Sequence, residues 1–163
     1  MFEMNEEDIE NKSALYVSLE KQARGLLDGE HDPIANAANL ASLIFHVLPD
    51  LNWVGFYFLR EDELLVGPFQ GKPACVRIAM GRGVCGTAAA ERKTLIVEDV
   101  DSFPGHIPCD AESRSEVVVP LLSRDGEHLL GVLDLDSPEP GRFDEVDAQG
   151  LERLAVVYTE SLV

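Results

Sequence analysis

Apolar residues recur at helical spacing twice before any strand-like pattern begins. Between residues 8 and 28, Ile9, Leu15, Leu19, Ala23, Leu26 and Leu27 fall close to one helical face. Asp32-Pro33 then supplies an N-cap and a proline at the first helical position. Ile34, Ala37, Leu40, Ala41, Ile44 and Leu48 mark one face of a second helix, which Pro49-Asp50 ends. The pattern changes at residue 52. NWVGFYFLRE is rich in aromatic and β-branched residues and predicts a strand, and ELLVGPFQGK predicts its partner across a turn at Glu61-Asp62. CVRIAM predicts a third strand. GRGVCGTAAAERK opens on glycines and becomes Ala-rich, which predicts a tight turn holding Cys85 and then a short helix. TLIVEDV predicts another strand and DSFPGHIPCDAESRS a long loop. SEVVVPLLSRDGEHLLGVLDLDS predicts two strands joined around Asp125-Gly126, and DEVDAQGLERLAVVYTESLV an amphipathic helix with Asp144 as N-cap.

Antiparallel hairpins between terminal helices predict an α+β fold: one central antiparallel sheet, helices packed on one face, and loops covering a pocket on the other. At 163 residues and 45% hydrophobic, the chain is expected to form one domain over residues 1–163, with a core that needs neither disulfides nor metals. The N-terminus is acidic and has no apolar signal-like core. No apolar run reaches membrane-spanning length, so a cytoplasmic protein is the expectation. The net charge of −17 makes nucleic acid and anionic membranes poor partners, since both call for cationic patches. Beyond that, the charge is read as keeping the protein soluble.

Three cysteines carry the most specific signal. Cys75, Cys85 and Cys109 stand 10 and 24 residues apart, without the short pair that zinc sites usually contain, so no metal site is expected. His106 would complete a Cys3His set, but nothing in the spacing calls for one. The odd count argues against a fixed disulfide framework. All three cysteines sit at the edges of predicted elements rather than inside apolar runs, which suits a redox cluster better than buried inert thiols. In GVLDLDS, Asp134 and Asp136 share one strand face while Leu133 and Leu135 share the other. The leucines then pack under helices and leave the carboxylates on the pocket face; the plain alternative is the solvated face of an amphipathic strand, whereas an enclosed pair can bind a cationic group or hold a proton. Glu116 reads by itself as a solvent-facing strand end, and Trp53 as core or pocket wall. GRGVCG lacks the phosphate-loop lysine, no dinucleotide fingerprint is present, and no nucleophile elbow marks a serine hydrolase.

NWVGFY, GPFQGKPACVRI, GRGVCGTAA, HIPCDAESRSEVVVPL, GVLDLDS and RFDEVDAQGLE together resemble the free methionine-(R)-sulfoxide reductases, which are small GAF-domain enzymes. The resemblance implies a GAF-like fold and thiol-dependent reduction of free L-methionine-(R)-sulfoxide to methionine. It implies that Cys109 attacks the sulfoxide sulfur and becomes a sulfenic acid. Cys75 then condenses with it to a disulfide, Cys85 is an auxiliary or alternative resolving thiol, and thioredoxin or a similar dithiol restores the thiols. Glu116, Asp134 and Asp136 become candidates for the acid that protonates the sulfoxide oxygen and for the group that holds the substrate ammonium. Trp53 becomes a wall for the S-methyl group. No metal, flavin or nicotinamide is implied on this chain, and a homodimer through the first helix is. The loop carrying Cys109 is expected to move so that this thiol can serve substrate and Cys75 in turn. The alternatives are a GAF-type sensor that binds a small ligand without chemistry, and a cysteine redox switch acting on a partner protein.

Overall fold

In the computed structural model, residues 11–163 are described. Four helices are α1 (Lys12–Leu27), α2 (Pro33–Val47), α3 (Gly83–Glu91) and α4 (Glu145–Ser161). Six strands are β1 (Trp53–Arg60), β2 (Glu63–Gly71), β3 (Arg77–Ala79), β4 (Leu95–Val97), β5 (Ser115–Leu122) and β6 (Leu129–Ser137), with a 3-10 turn at Val100–Ser102. The strands form one antiparallel sheet in the order β3-β2-β1-β6-β5-β4.

Local chemistry starts the long helices where the sequence predicts. Asp32 Oδ1 accepts from the backbone N–H groups of Ile34 and Ala35, both at 2.9 Å, and Pro33 follows at N1. Asp144 and Asp147 cap α4 reciprocally. The helical stretch expected from residue 8 is described from Lys12, and Ile9 lies outside the described residues. Ile34, assigned by pattern to the buried face of α2, is exposed in its first turn.

The main core lies between the sheet and α1, α2 and α4. It takes Val54, Phe56 and Phe58 from β1, Val117, Val119 and Leu121 from β5, and Leu133 and Leu135 from β6. The expected layering holds for the three long helices. The short α3 lies on the opposite face, where Val84, Cys85, Ala88 and Ala89 pack against Val118, Val132, Leu64 and Ile78. Its small side chains let it sit close: a Cβ on Gly86 would strike the Ala79 carbonyl. Two predicted strands are shorter than read. CVRIAM pairs only over Arg77–Ala79, leaving Cys75 in the β2–β3 connector, and TLIVEDV pairs only over Leu95–Val97.

Candidate active site

The register of the central strands aims three acids at one place. Glu116 stands opposite Asp136, and Val118 opposite Asp134, on paired β5 and β6. Gly55 and Trp53 oppose Asp134 and Asp136 from β1. With Leu133 and Leu135 in the core, Asp134 and Asp136 face the other way, as the alternation predicts. Gly55 has no side chain because the Trp53 ring and Phe69 occupy that space. The indole therefore lies along the pocket face and stacks near Phe69 and Tyr57.

A small cavity of about 50 Å³, open to solvent on one side, forms above these residues. Its lining includes Trp53, Tyr57, Cys85, His106, Cys109, Glu116, Asp134 and Asp136. All seven expected site residues are thus in or beside one place: six line the cavity, and Cys75 is bonded to Cys109 at its rim. Glu116 corrects the reading of its sequence neighbourhood: it is 6% exposed, not a solvated strand end. Cys85 corrects two readings. It lies in the first turn of α3 rather than in a glycine turn, and it is a buried free thiol.

Cys75 and Cys109 are joined in a disulfide whose Cα atoms are 5.6 Å apart. It ties the β2–β3 connector to the loop ahead of β5. β1 holds the first of these loops from below: Trp53 Nε1 donates to the Lys72 carbonyl at 3.1 Å, and Tyr57 Oη donates to the Cys75 carbonyl at 3.0 Å. The second loop is held by Asn52 Nδ2, which donates to Asp110 Oδ2 and Ser113 Oγ, each at 3.0 Å. Lys72 and Glu112 pair across the gap at 2.8 Å.

Electrostatically the floor is a cluster of acids whose burial and mutual repulsion disfavour their ionised forms. Burial, and then the charge of Asp134, pushes Glu116 well above the usual carboxylate range. Burial and Asp136 do the same to Asp134, and burial and Glu116 to Asp136. Cys85 Sγ lies 3.8 Å from Glu116 Oε1, and burial beside these carboxylates raises its pKa well above an ordinary thiol. Its place at a helix N-terminus favours thiolate, but desolvation and three acids outweigh that. Asp134 Oδ1 is buried without a hydrogen-bond partner. His106 Nε2 comes to 4.0 Å from Glu116 Oε2, and burial lowers its pKa, so it stands beside the acid mostly neutral.

His106, Tyr57, Asn52 and Asp110 are site residues that sequence reading did not select. Tyr57 had a usable signal, because it follows Trp53 by four residues and shares its strand face. His106 was weighed only as a metal ligand. Its approach to Glu116 depends on how the loop folds back over β5.

A six-stranded antiparallel sheet with long helices on one face and a loop-rimmed cavity on the other is the architecture of a GAF domain, and residues 35–160 match the GAF domain family. Over 144 residues the chain is 49% identical to a free methionine-R-sulfoxide reductase of Escherichia coli, covering 88% of this chain and 86% of that protein. It is 46% identical over 160 residues to a protein of the same description from Saccharomyces cerevisiae, covering 94% and 88%. The X-ray structure of free methionine-R-sulfoxide reductase from Neisseria meningitidis in complex with its substrate superposes with a TM-score of 0.94 at 42% identity, covering 99% of this chain and 96% of that one. The chain belongs to the free methionine-R-sulfoxide reductases, within the GAF-domain family.

Proposed function

We propose that this protein reduces free L-methionine-(R)-sulfoxide to L-methionine, with Cys109 as nucleophile and Cys75 as resolving thiol. The observation that carries this reading is the Cys75–Cys109 disulfide beside a cavity lined by Glu116, Asp134 and Asp136. The disulfide corresponds to the oxidised end of the cycle.

Starting from the dithiol, Cys109 sulfur attacks the sulfoxide sulfur while the oxygen takes a proton from the acid cluster. The substrate S–O bond breaks, the protonated oxygen passes to the Cys109 sulfur to give a sulfenic acid, and methionine leaves with its own sulfur. Cys75 sulfur displaces that oxygen as water and forms the disulfide. Two electrons have moved from the thiols to the substrate. A dithiol protein of the thioredoxin type returns them by exchange through a mixed disulfide. The half-buried exposure of Cys75 and Cys109 supports access for such a partner.

Glu116 donates the proton to the sulfoxide oxygen, because it is the buried acid adjoining both Cys85 and His106. Asp136 is less buried than Asp134 and lies toward Asp110, which suits it to hold the substrate ammonium. Trp53 and Tyr57 wall the S-methyl group. Cys85 is the auxiliary thiol and takes over resolution only when Cys75 is absent. The loop carrying Cys109 moves between substrate and Cys75. In the same reading the protein works in the cytoplasm, and two copies pair through α1, which leaves Val17 65% exposed.

The deciding assay is NADPH consumption with free L-methionine-(R)-sulfoxide, thioredoxin and thioredoxin reductase. Wild type turns over and Cys109→Ser does not. A folded, fully reduced wild type that consumes no sulfoxide overturns the enzyme reading and leaves the sensor alternative.

A further inference from the structure

Cys85, Glu116 and Asp134 offer one sulfur and two carboxylate oxygens that all lie within 4.8 Å of one another, and all three residues are buried. They come from three elements, α3, β5 and β6, so the sheet register and the docking of α3 bring them together. Asp134, at 5% exposure, lines the cavity with an oxygen that meets no donor. A buried carboxylate oxygen left without a donor carries its desolvation cost uncompensated. A cation in the cluster removes that cost.

Tetrahedral zinc holds thiolate sulfur at about 2.3 Å and carboxylate oxygen at about 2.0 Å, which sets adjacent donors roughly 3.5 Å apart. Cys85 Sγ and Glu116 Oε1 stand 3.8 Å apart and no pair in the cluster exceeds 4.8 Å, so coordination draws the donors together by about an ångström at most. Three protein donors with a fourth position open to a cavity is the ligand count of open zinc sites rather than of closed, four-ligand structural ones. His106 Nε2, 4.0 Å from the other Glu116 oxygen, is a further donor next to the cluster.

We propose that Cys85, Glu116 and Asp134 form a binding site for zinc or another thiophilic divalent cation, with the fourth position open to the cavity. On binding, the Cys85 S–H bond breaks, its proton goes to solvent and a sulfur–metal bond forms. Glu116 and Asp134 bind as carboxylates, and no redox change occurs. Cys85 stays free when Cys75 and Cys109 are joined, so the disulfide form retains the site. If the reductase reading above is right, the bound cation takes the proton-donating acid out of service and zinc inhibits turnover reversibly. The binding itself does not rest on that reading.

The test uses cadmium as the probe on the Cys75–Cys109 disulfide form, where Cys85 is the only free thiol. One equivalent of Cd2+ is expected to give a thiolate-to-cadmium charge-transfer band in the ultraviolet, and zinc is expected to displace it. Cys85→Ser loses the band, while Glu116→Gln and Asp134→Asn weaken binding at least about 10-fold. A Cys75→Ser/Cys109→Ser double variant, which holds the same single thiol without any oxidation step, shows the same band. Absence of the band in both the disulfide form and the double variant overturns the proposal. So does a band that Glu116→Gln and Asp134→Asn leave unchanged, since that would be metal on a thiol alone.

Discussion

Glu116 is the residue in which environment most changes chemistry. An acid with an ordinary pKa would be ionised at neutral pH and could only repel a thiolate. Burial beside Asp134 instead lets it keep a proton. Glu116→Gln keeps the shape but cannot donate the proton. It is expected to lower the single-turnover rate of sulfoxide reduction by about 10²-fold or more, with substrate still binding. An unchanged single-turnover rate would remove Glu116 from the proton-donor role. The raised pKa also has a consequence for stability. The folded protein holds this proton more tightly than the unfolded chain, where a glutamate titrates near about 4.3. Its contribution is therefore fully present below that pH and is lost as pH rises through the folded value. Each unit of elevation is worth about 1.4 kcal/mol. Glu116→Gln does not titrate, so its stability relative to wild type should rise between pH 4 and pH 8 in denaturant melts. A constant difference across that range would contradict the raised pKa.

At the level of elements, α1 and α4 cross closely because Gly150 leaves room for the Tyr16 ring. Tyr16 Oη then donates to Asp147 Oδ1 at 2.7 Å, and Lys12 Nζ and the Arg142 guanidinium complete the partners of this fully buried carboxylate at 2.8 and 3.3 Å. In an isolated helix, alanine is favoured over glycine by about 1 kcal/mol. Here the added methyl would meet a ring that is 1% exposed and has nowhere to go. Overpacking of that kind costs about 1–3 kcal/mol. Gly150→Ala is therefore expected to lower stability by up to about 2 kcal/mol in urea melts, while a gain would show that the crossing relaxes freely. Gly131 is fixed differently, by a φ of +155° and by the Tyr57 carbonyl beside it, at the irregularity where β6 pairs with β5.

Over the whole molecule, the disulfide closes a loop of 34 residues that contains β3, α3 and β4. Chain-entropy arguments assign such a loop up to about 4 kcal/mol. The oxidised protein should thus melt at higher temperature than the reduced one, by several degrees, and Cys75→Ser should lose the difference. Equal melting temperatures with and without reductant would mean that reduction frees no extra unfolded conformations. Among the described residues, no helix is long and apolar enough to cross a membrane. The charge of −17 is carried with 30 acidic and 13 basic residues, four of the acids lining the pocket.

Much of this was legible along the chain. Helix periodicity, the Asp32-Pro33 and Asp144 caps and the alternation in GVLDLDS are local, and each survives folding because the same residues set both the pattern and the packing. The three cysteines and the acids at 134 and 136 were selected by residue type and spacing. Tertiary structure alone decided the rest. Glu116 is buried because β6 and α3 close over it, which no neighbour in sequence reports. Cys85 came out buried and unpaired because a glycine-led turn winds directly into α3. Spacing rules count residues along the chain, so they do not register that Cys85, Glu116 and Asp134 are gathered from α3, β5 and β6. Likewise His106 reaches Glu116 only because the loop ahead of β5 folds back over the strand that follows it.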